Sequence, residues 1–214
     1  MALFQKRVQE GGGNSFYTVG MNKTTLLVGL GNPEPKYDLT RHNVGFLCID
    51  DFVAKTDEMG EWINKKDLKC HLSTGQLGDQ RVLAIKPTTF MNLGGEAVRA
   101  VMDFYKLNAE QILVVHDELD IGFGQIRTRI GGSDAGNNGI KSITQHIGEN
   151  YGRIRVGIGP KQPEQIDSAD FVLQKFSLDE QKQLPNLTRE AIAIITEHLY
   201  GSQTLPHETR NFLV

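Results

Sequence analysis

The chain has few of the features that mark specialised classes of protein. Only two of its 214 residues are cysteine, too few for a disulfide framework and without metal-ligand spacing. That usage predicts a reducing, cytoplasmic location. No apolar run reaches the length of a membrane span, so we expect no membrane partner. The net charge is only -3, so any nucleic-acid-binding surface must be local rather than global.

The first twenty residues differ in composition from the rest. A charged start is followed by the glycine-rich stretch Gly11–Ser15, and no apolar signal-peptide core is present. We expect residues 1–20 to be a tag or flexible extension. Residues 21–214 are expected to form one domain.

From residue 22 onward, strand and helix patterns alternate, which is typical of a single three-layer α/β domain with helices on both faces of a central sheet. The predicted strands are Leu26–Leu30, Val82–Ile85, Ile112–Val115, Gln125–Ile130 and Arg153–Ile158. The predicted helices cover residues 44–53, 95–105, 140–147 and 187–200. Residues 56–69 and 160–178 are interpreted as connections.

Polar segments follow four of these strands. They are residues 31–43, 86–95, 116–124 and 131–139. Because ligand sites of α/β sheets lie beyond the carboxyl ends of the strands, we expect the four segments to meet there.

The first segment is the most informative. A glycine turn, Gly29–Pro33, delivers Asn32, and His42 follows just before the next predicted helix. An amide and an imidazole at one sheet edge suit a hydrolytic site that uses neither a metal nor a covalent nucleophile. A tight turn with a capping histidine is the simpler alternative.

The next two segments supply further candidates. Asn92 offers amide donors for a developing oxyanion, although it could instead cap the following helix. The acidic stretch His116–Asp120 could suggest a metal centre, but no remote cluster completes a ligand set. Asp117 is better suited to orient His42 and to stabilise its protonated form.

The glycine-rich segment Gly131–Gly139 lacks the residues of a Walker loop, and residues 29–34 lack the third glycine of a dinucleotide fingerprint. We interpret residues 131–139 as a mobile rim with Asn138 facing the pocket. Residues 121–161 carry six basic and two acidic side chains, a balance that suits a phosphate-rich ligand or simply a solvated surface. Few aromatic residues accompany this patch, so extensive base stacking is not expected.

Together these segments closely resemble the bacterial peptidyl-tRNA hydrolase family, from about residue 24 to the C-terminus. The matching stretches are Val28–Pro33, Tyr37 with Thr40–Gly45, Lys86–Asn92, His116–Asp120 and Asn138–Gly139. The resemblance implies a mixed central sheet and a monomeric enzyme without metal or other cofactor. Such an enzyme cleaves the ester between a peptide and the terminal ribose of tRNA, and so recycles prematurely released peptidyl-tRNA.

The resemblance also implies a role for individual residues. His42 would be the general base that activates water, and Asp117 would support its basic form. Asn32 would help to distinguish peptidyl from free aminoacyl substrates. The residues implied to contact the 3′ substrate end are Tyr37, Phe90, Asn92 and Asn138. Those implied to clamp the tRNA 5′ phosphate are Arg129 and Arg155.

Three positions depart from the family pattern. Glu34 replaces a glycine, Gly94 replaces a serine, and Asn137 stands where the family usually has histidine. In addition, Asp134 adds a negative charge to the rim. These departures bear on substrate affinity and pH profile more than on the reaction.

Two other functions are compatible with parts of this pattern. A non-catalytic RNA-binding relative would share the fold, but retention of His42, Asp117, Asn32 and Asn92 argues against it. A metal-dependent phosphoesterase centred on residues 116–120 is the other, and sensitivity to chelators would distinguish it.

Overall fold

An eight-stranded sheet runs through the computed structural model, which describes residues 23–201 and 205–213. The predicted extension, residues 1–20, lies outside the described residues. The strands are β1 Lys23–Gly29, β2 Ile63–Lys65, β3 Cys70–Leu77, β4 Gln80–Pro87, β5 Ile112–Gly122, β6 Gln125–Ile130, β7 Gly152–Gly159 and β8 Thr209–Asn211. The helices are α1 Val44–Ala54, α2 Gly94–Tyr105, α3 Asn138–Ile147, α4 Ser168–Val172 and α5 Leu178–Tyr200.

The sheet is mixed, with the strand order β2-β3-β4-β1-β5-β7-β6-β8. Strand β1 pairs in parallel with β4 and β5, and β5 pairs in parallel with β7. The remaining pairs are antiparallel. The four parallel strands therefore end at one edge of the sheet, where the candidate side chains were expected.

Apolar side chains cover both faces of this sheet. On one face α1 and α5 pack through residues such as Ile49, Phe52 and Ile195. On the other face α2 and α3 pack through residues such as Val98 and Ile143. The predicted class, a single three-layer α/β domain with a mixed central sheet and helices on both faces, is confirmed.

Helix α1 lies against the sheet at a point where only glycine fits. A Cβ atom at Gly45 would lie 2.3 Å from the Val115 carbonyl oxygen, and one at Gly29 would lie 2.7 Å from the Gly45 carbonyl oxygen. The helix backbone thus contacts the strand backbone directly. This contact fixes the start of α1, and with it the turn that carries His42, over the ends of β1 and β5.

Strand β5 is longer than predicted. Its apolar pattern stops at Val115, but the pairing with β7 continues through His116, Asp117 and Glu118 before an irregularity leads to Gly122. The prediction that the strand ends at Val115 was therefore wrong. The strand continues because Asp117 and Glu118 find partners on other elements, His42 and Arg155, which a local pattern does not reveal.

Other boundaries also differ. Residues 56–69 contain β2, and strands β3 and β8 were not predicted. Helix α5 begins at Leu178 rather than 187, behind a capping box in which Ser177 and Glu180 satisfy each other's backbone N–H groups. The connection 160–178 accordingly contains α4 and the first residue of α5.

The orientation of β6 corrects one expectation about the site. Because β6 is antiparallel to β7, Ile130 pairs with Gly152, which in turn pairs with Leu113 near the start of β5. The carboxyl end of β6 therefore lies at the edge opposite the other three segments. Residues 131–137 must cross back over the sheet to reach Asp117.

Candidate active site

Two asparagines tie together the ends of the loop that carries His42. The Asn32 backbone N–H donates to Asn43 Oδ1 at 2.8 Å, and Asn43 Nδ2 donates to the Asn32 carbonyl at 2.9 Å. Both residues are buried. We call this reciprocal pair the asparagine neck; it holds the turn Arg41–Asn43 beside the end of β1.

His42 and Asp117 form the centre of the site. His42 Nδ1 lies 2.8 Å from Asp117 Oδ2, and the two side chains are 15% and 3% exposed. In this arrangement Nδ1–H donates to the carboxylate, which leaves Nε2 unprotonated and able to accept a proton. Burial lowers the pKa of His42, but the charge and hydrogen bond of Asp117 outweigh it, so the pKa is raised overall.

Arg41, the residue before His42, anchors the same turn from the other side. Its buried guanidinium donates to the Lys175 carbonyl at 2.6 Å and to Glu180 at 2.7 Å. It also lies 4.5 Å from the centre of the Phe171 ring. Sequence reasoning missed both Arg41 and Asn43, whose only signal was their position on either side of His42.

Asn137 reaches the second oxygen of the Asp117 carboxylate. Its Nδ2 donates to Asp117 Oδ1 at 2.9 Å, while its Oδ1 accepts from the first backbone N–H groups of α3. Asn138, predicted to face the pocket, is exposed at the first position of α3. The rim residue that contacts Asp117 is thus Asn137, and a substrate contact for Asn138 stays a prediction.

The remaining predicted residues surround this centre. Asn32 Oδ1 accepts from the Met91 backbone N–H at 2.9 Å, which joins the first segment to the second. Asn92 and Phe90 are exposed, and Tyr37 is partly exposed. Neither α2 nor the turn Met91–Leu93 is capped by the Asn92 side chain, so the capping alternative for Asn92 was wrong.

Comparison with known proteins agrees with this geometry. The family model described as peptidyl-tRNA hydrolase matches residues 26–211. A peptidyl-tRNA hydrolase of Pelagibacter ubique is 44% identical over 78% of this chain and 88% of its own length. One from Gloeobacter violaceus is 45% identical over 75% and 80%. The crystal structure of the Acinetobacter baumannii peptidyl-tRNA hydrolase superposes with a TM-score of 0.76, at 34% identity, covering 86% of this chain and 91% of that one.

This chain belongs to the peptidyl-tRNA hydrolase family. The resemblance found in the motifs is confirmed, and the alternative of a non-catalytic RNA-binding relative is not favoured, because the matching relatives are named as hydrolases. Of the departures from the family pattern, Glu34 pairs with the exposed Lys36 on the outer part of the loop. Asn137 is different, because it contacts Asp117 directly.

His116, next to Asp117 in the sequence, is held in its neutral form. Burial and the positive charge of Arg153 lower the pKa of His116 to about 3. Its Nδ1–H donates to the Asp117 carbonyl at 2.7 Å. Glu118 is paired with Arg155. In the part of the chain that the structure describes, no three His, Cys, Asp or Glu side chains are grouped as they would be around a metal ion.

Three basic residues near the rim, Arg129, Arg153 and Arg155, make contacts within the protein. Arg153 is buried and donates to the carbonyls of Gly131, Gly132 and Ser133, which anchors the returning loop. Arg155 lies 3.1 Å from the buried Glu118 carboxylate. The guanidinium of Arg129 lies against Gly132, where an added Cβ would lie 1.5 Å from Arg129 Nη2 and would displace the guanidinium.

The helices of the described segments are too short or too polar to cross a lipid bilayer.

Proposed function

We propose that this chain hydrolyses the ester bond that joins a peptide to the terminal ribose of tRNA, with His42 as the general base. The observation that carries the proposal is the 2.8 Å contact between His42 Nδ1 and Asp117 Oδ2, which leaves Nε2 as the proton acceptor. An imidazole that titrates near neutral pH suits this task because an ester is already reactive toward an activated water.

The reaction then follows from the geometry. His42 Nε2 removes a proton from water, and the water oxygen bonds to the ester carbonyl carbon. Asp117 stabilises the imidazolium that forms and keeps Nδ1 protonated. The oxyanion takes hydrogen bonds from the Asn92 amide or a nearby backbone N–H. When the intermediate collapses, the bond to the ribose oxygen breaks, and that oxygen receives the proton from His42.

Asn32 is suited to recognise the peptide rather than the amino-acid side chain. Its Oδ1 already accepts the Met91 N–H, so its Nδ2 donors remain for a substrate carbonyl. A free aminoacyl-tRNA has a charged amine and no such carbonyl at that position. Backbone recognition of this kind allows one site to accept many peptides. Tyr37, Phe90 and Asn138 are proposed to contact the same 3′ end.

Arg129 and Arg155 are proposed to bind the 5′ phosphate of the tRNA. We also propose that the protein acts as a monomer and in the cytoplasm, where prematurely released peptidyl-tRNA accumulates. The cysteine usage that predicts a reducing compartment agrees with this, since Cys48 and Cys70 are both buried free thiols.

The function is tested by incubating the protein with N-acetylated aminoacyl-tRNA and with the same tRNA carrying a free amino acid. We expect rapid release of the N-acetylated amino acid, slow or no release of the free one, and no effect of EDTA. Binding of both tRNAs without cleavage would instead indicate a non-catalytic RNA-binding protein. Loss of activity with EDTA, restored by a divalent metal, would contradict the mechanism.

The phosphate clamp makes a separate prediction. Arg129→Ala and Arg155→Ala should each weaken tRNA binding and reduce the slope of log Kd against log salt by about one, because each removes one phosphate contact. Arg155→Ala should also destabilise the fold by about 1–3 kcal/mol, because it leaves the buried Glu118 carboxylate unpaired.

Filter binding across a salt series measures the slope, and Lys55→Ala is the matched control. Lys55 is an exposed cation at the far end of α1 from His42. An unchanged slope for both arginine variants would show that neither side chain contacts a phosphate.

A further inference from the structure

The two oxygens of the Asp117 carboxylate have different donors. His42 occupies Oδ2 at 2.8 Å and Asn137 occupies Oδ1 at 2.9 Å. Asn137 Nδ2 also lies 3.2 Å from the Asp117 carbonyl oxygen. The carboxylate is 3% exposed, so these contacts replace most of the water that would otherwise solvate it.

The orientation of the Asn137 amide is fixed by the other half of the same side chain. Its Oδ1 accepts from the Gly139 and Ile140 backbone N–H groups at 3.0 and 3.2 Å, at the start of α3. Those groups are donors, so only the amide oxygen can face them. The amide NH₂ therefore points to Asp117.

We propose that Asn137 is a positioning residue for the reaction: it holds Asp117 in the orientation that pairs with His42, and it does so as a donor without charge. The kinetic consequences of this inference rest on the proposed function. The hydrogen-bonded link from Asn137 through Asp117 to His42 does not depend on that function.

The charged neighbours of this pair are engaged elsewhere. Arg155 pairs with Glu118, Arg153 donates to the loop carbonyls, and Arg41 pairs with Glu180. Asp134 accepts from the Gly136 N–H within the rim. With His116 neutral, His42 is left as the group that titrates against the Asp117 charge.

An imidazole at position 137 would compete for the same carboxylate whenever it was protonated. Two histidines on one carboxylate would titrate as a coupled set. The amide of Asn137 removes that competition. The pH dependence of this chain should therefore reflect a single histidine on its acid side.

Two substitutions separate positioning from helix capping. Asn137→Ser retains a capping oxygen for α3 but lacks the NH₂ donor to Asp117. Asn137→Asp retains the cap and the shape, but it presents a carboxylate oxygen where the donor stood. Serine and aspartate cap as well as asparagine, so a residue that only caps α3 would tolerate both changes.

We expect Asn137→Ser to lower kcat by about tenfold with little change in KM, as for loss of a hydrogen bond to a charged group. Asn137→Asp adds negative charge beside the His42–Asp117 pair. It should move the acid limb of the rate profile up by about one pH unit. Asn108→Ser is the matched control, because Asn108 occupies the N-cap position of the turn Ala109–Gln111 before β5, at the opposite edge of the sheet.

NMR titration of the His42 imidazole in each folded variant provides a readout that needs no turnover. Altered His42 titration in both variants, with wild-type melting temperatures, supports the proposal even if the protein proves not to hydrolyse peptidyl-tRNA. Wild-type titration and wild-type kcat in both variants would overturn it. Activity lost with an unchanged His42 titration would also overturn it and leave a capping role.

Discussion

His42→Ala is expected to reduce the rate of peptidyl-tRNA hydrolysis by about 10²–10⁴-fold while tRNA binding persists. The alanine removes the proton acceptor from the turn before α1, whereas the side chains proposed to bind tRNA, Arg129 and Arg155, lie on β6 and β7. Single-turnover cleavage and filter binding with the same tRNA measure the two effects. Near wild-type hydrolysis would show that another group activates the water.

The matched control is His207→Ala, which removes an exposed imidazole between α5 and β8.

The His42→Ala variant also has an expected effect on stability. Because the folded-state pKa of His42 is raised, its pairing with Asp117 stabilises the fold fully below the unfolded pKa of about 6.5. That contribution is lost as the pH rises through the folded-state pKa. The variant should therefore lose more free energy of unfolding in acid than in alkaline buffer.

Asp117→Asn is expected to reduce hydrolysis by a similar factor, about 10²–10⁴-fold, with little change in overall structure. An amide has one acceptor oxygen, whereas His42 and Asn137 both present donors to this residue. Its NH₂ group must then face one of them. If it faces His42, the imidazole is held in the tautomer with the proton on Nε2, which cannot act as a base.

The residual activity of Asp117→Asn should also show a shifted pH profile. The Asp117 charge raises the pKa of His42, so its removal should move the acid limb of kcat to lower pH. Measuring kcat and kcat/KM across the acid range tests the direction. An acid limb that stays in place, or that moves upward, would contradict the assignment of Asp117 as the partner of the base.

Much of the site was predictable from the sequence because its parts come from short segments with strong local signals. A buried apolar strand ending in glycine placed Asn32, and the helical spacing after residue 43 placed His42 just before α1. The parallel strands β1, β4 and β5 then brought residues 32, 42 and 117 to one edge, as expected for an α/β sheet.

The errors share a physical cause, which is pairing between residues distant in the sequence. Strand β5 continues past Val115 because Glu118 meets Arg155 and Asp117 meets His42. The reversed direction of β6 depends on its pairing with β7, which no local pattern specifies. The start of α5 is an exception, since the capping box of Ser177 and Glu180 is a local signal for a helix that begins at Leu178.

In the rim, residues 131–139, one feature was predictable from the sequence and another was not. A glycine-rich loop before a helix indicated a segment near the site, and Asn137 does contact Asp117, but the local pattern does not specify the path that brings it there. Its anchor, Arg153, appeared in the sequence only as one basic residue among six. Burial converts it from a candidate phosphate ligand into an internal support for residues 131–133.

The asparagine neck has a consequence for how this sequence can diverge. Two hydrogen bonds between Asn32 and Asn43 join the two ends of the loop, much as a cross-link would. These bonds offset the entropic cost of closing the loop, so closure does not depend on contacts made by residues at its tip. We therefore expect substitutions at the tip, residues 34–38, to leave the position of the general base, His42, unchanged. Glu34 lies in this tip, beyond the closure, where its carboxylate pairs with Lys36.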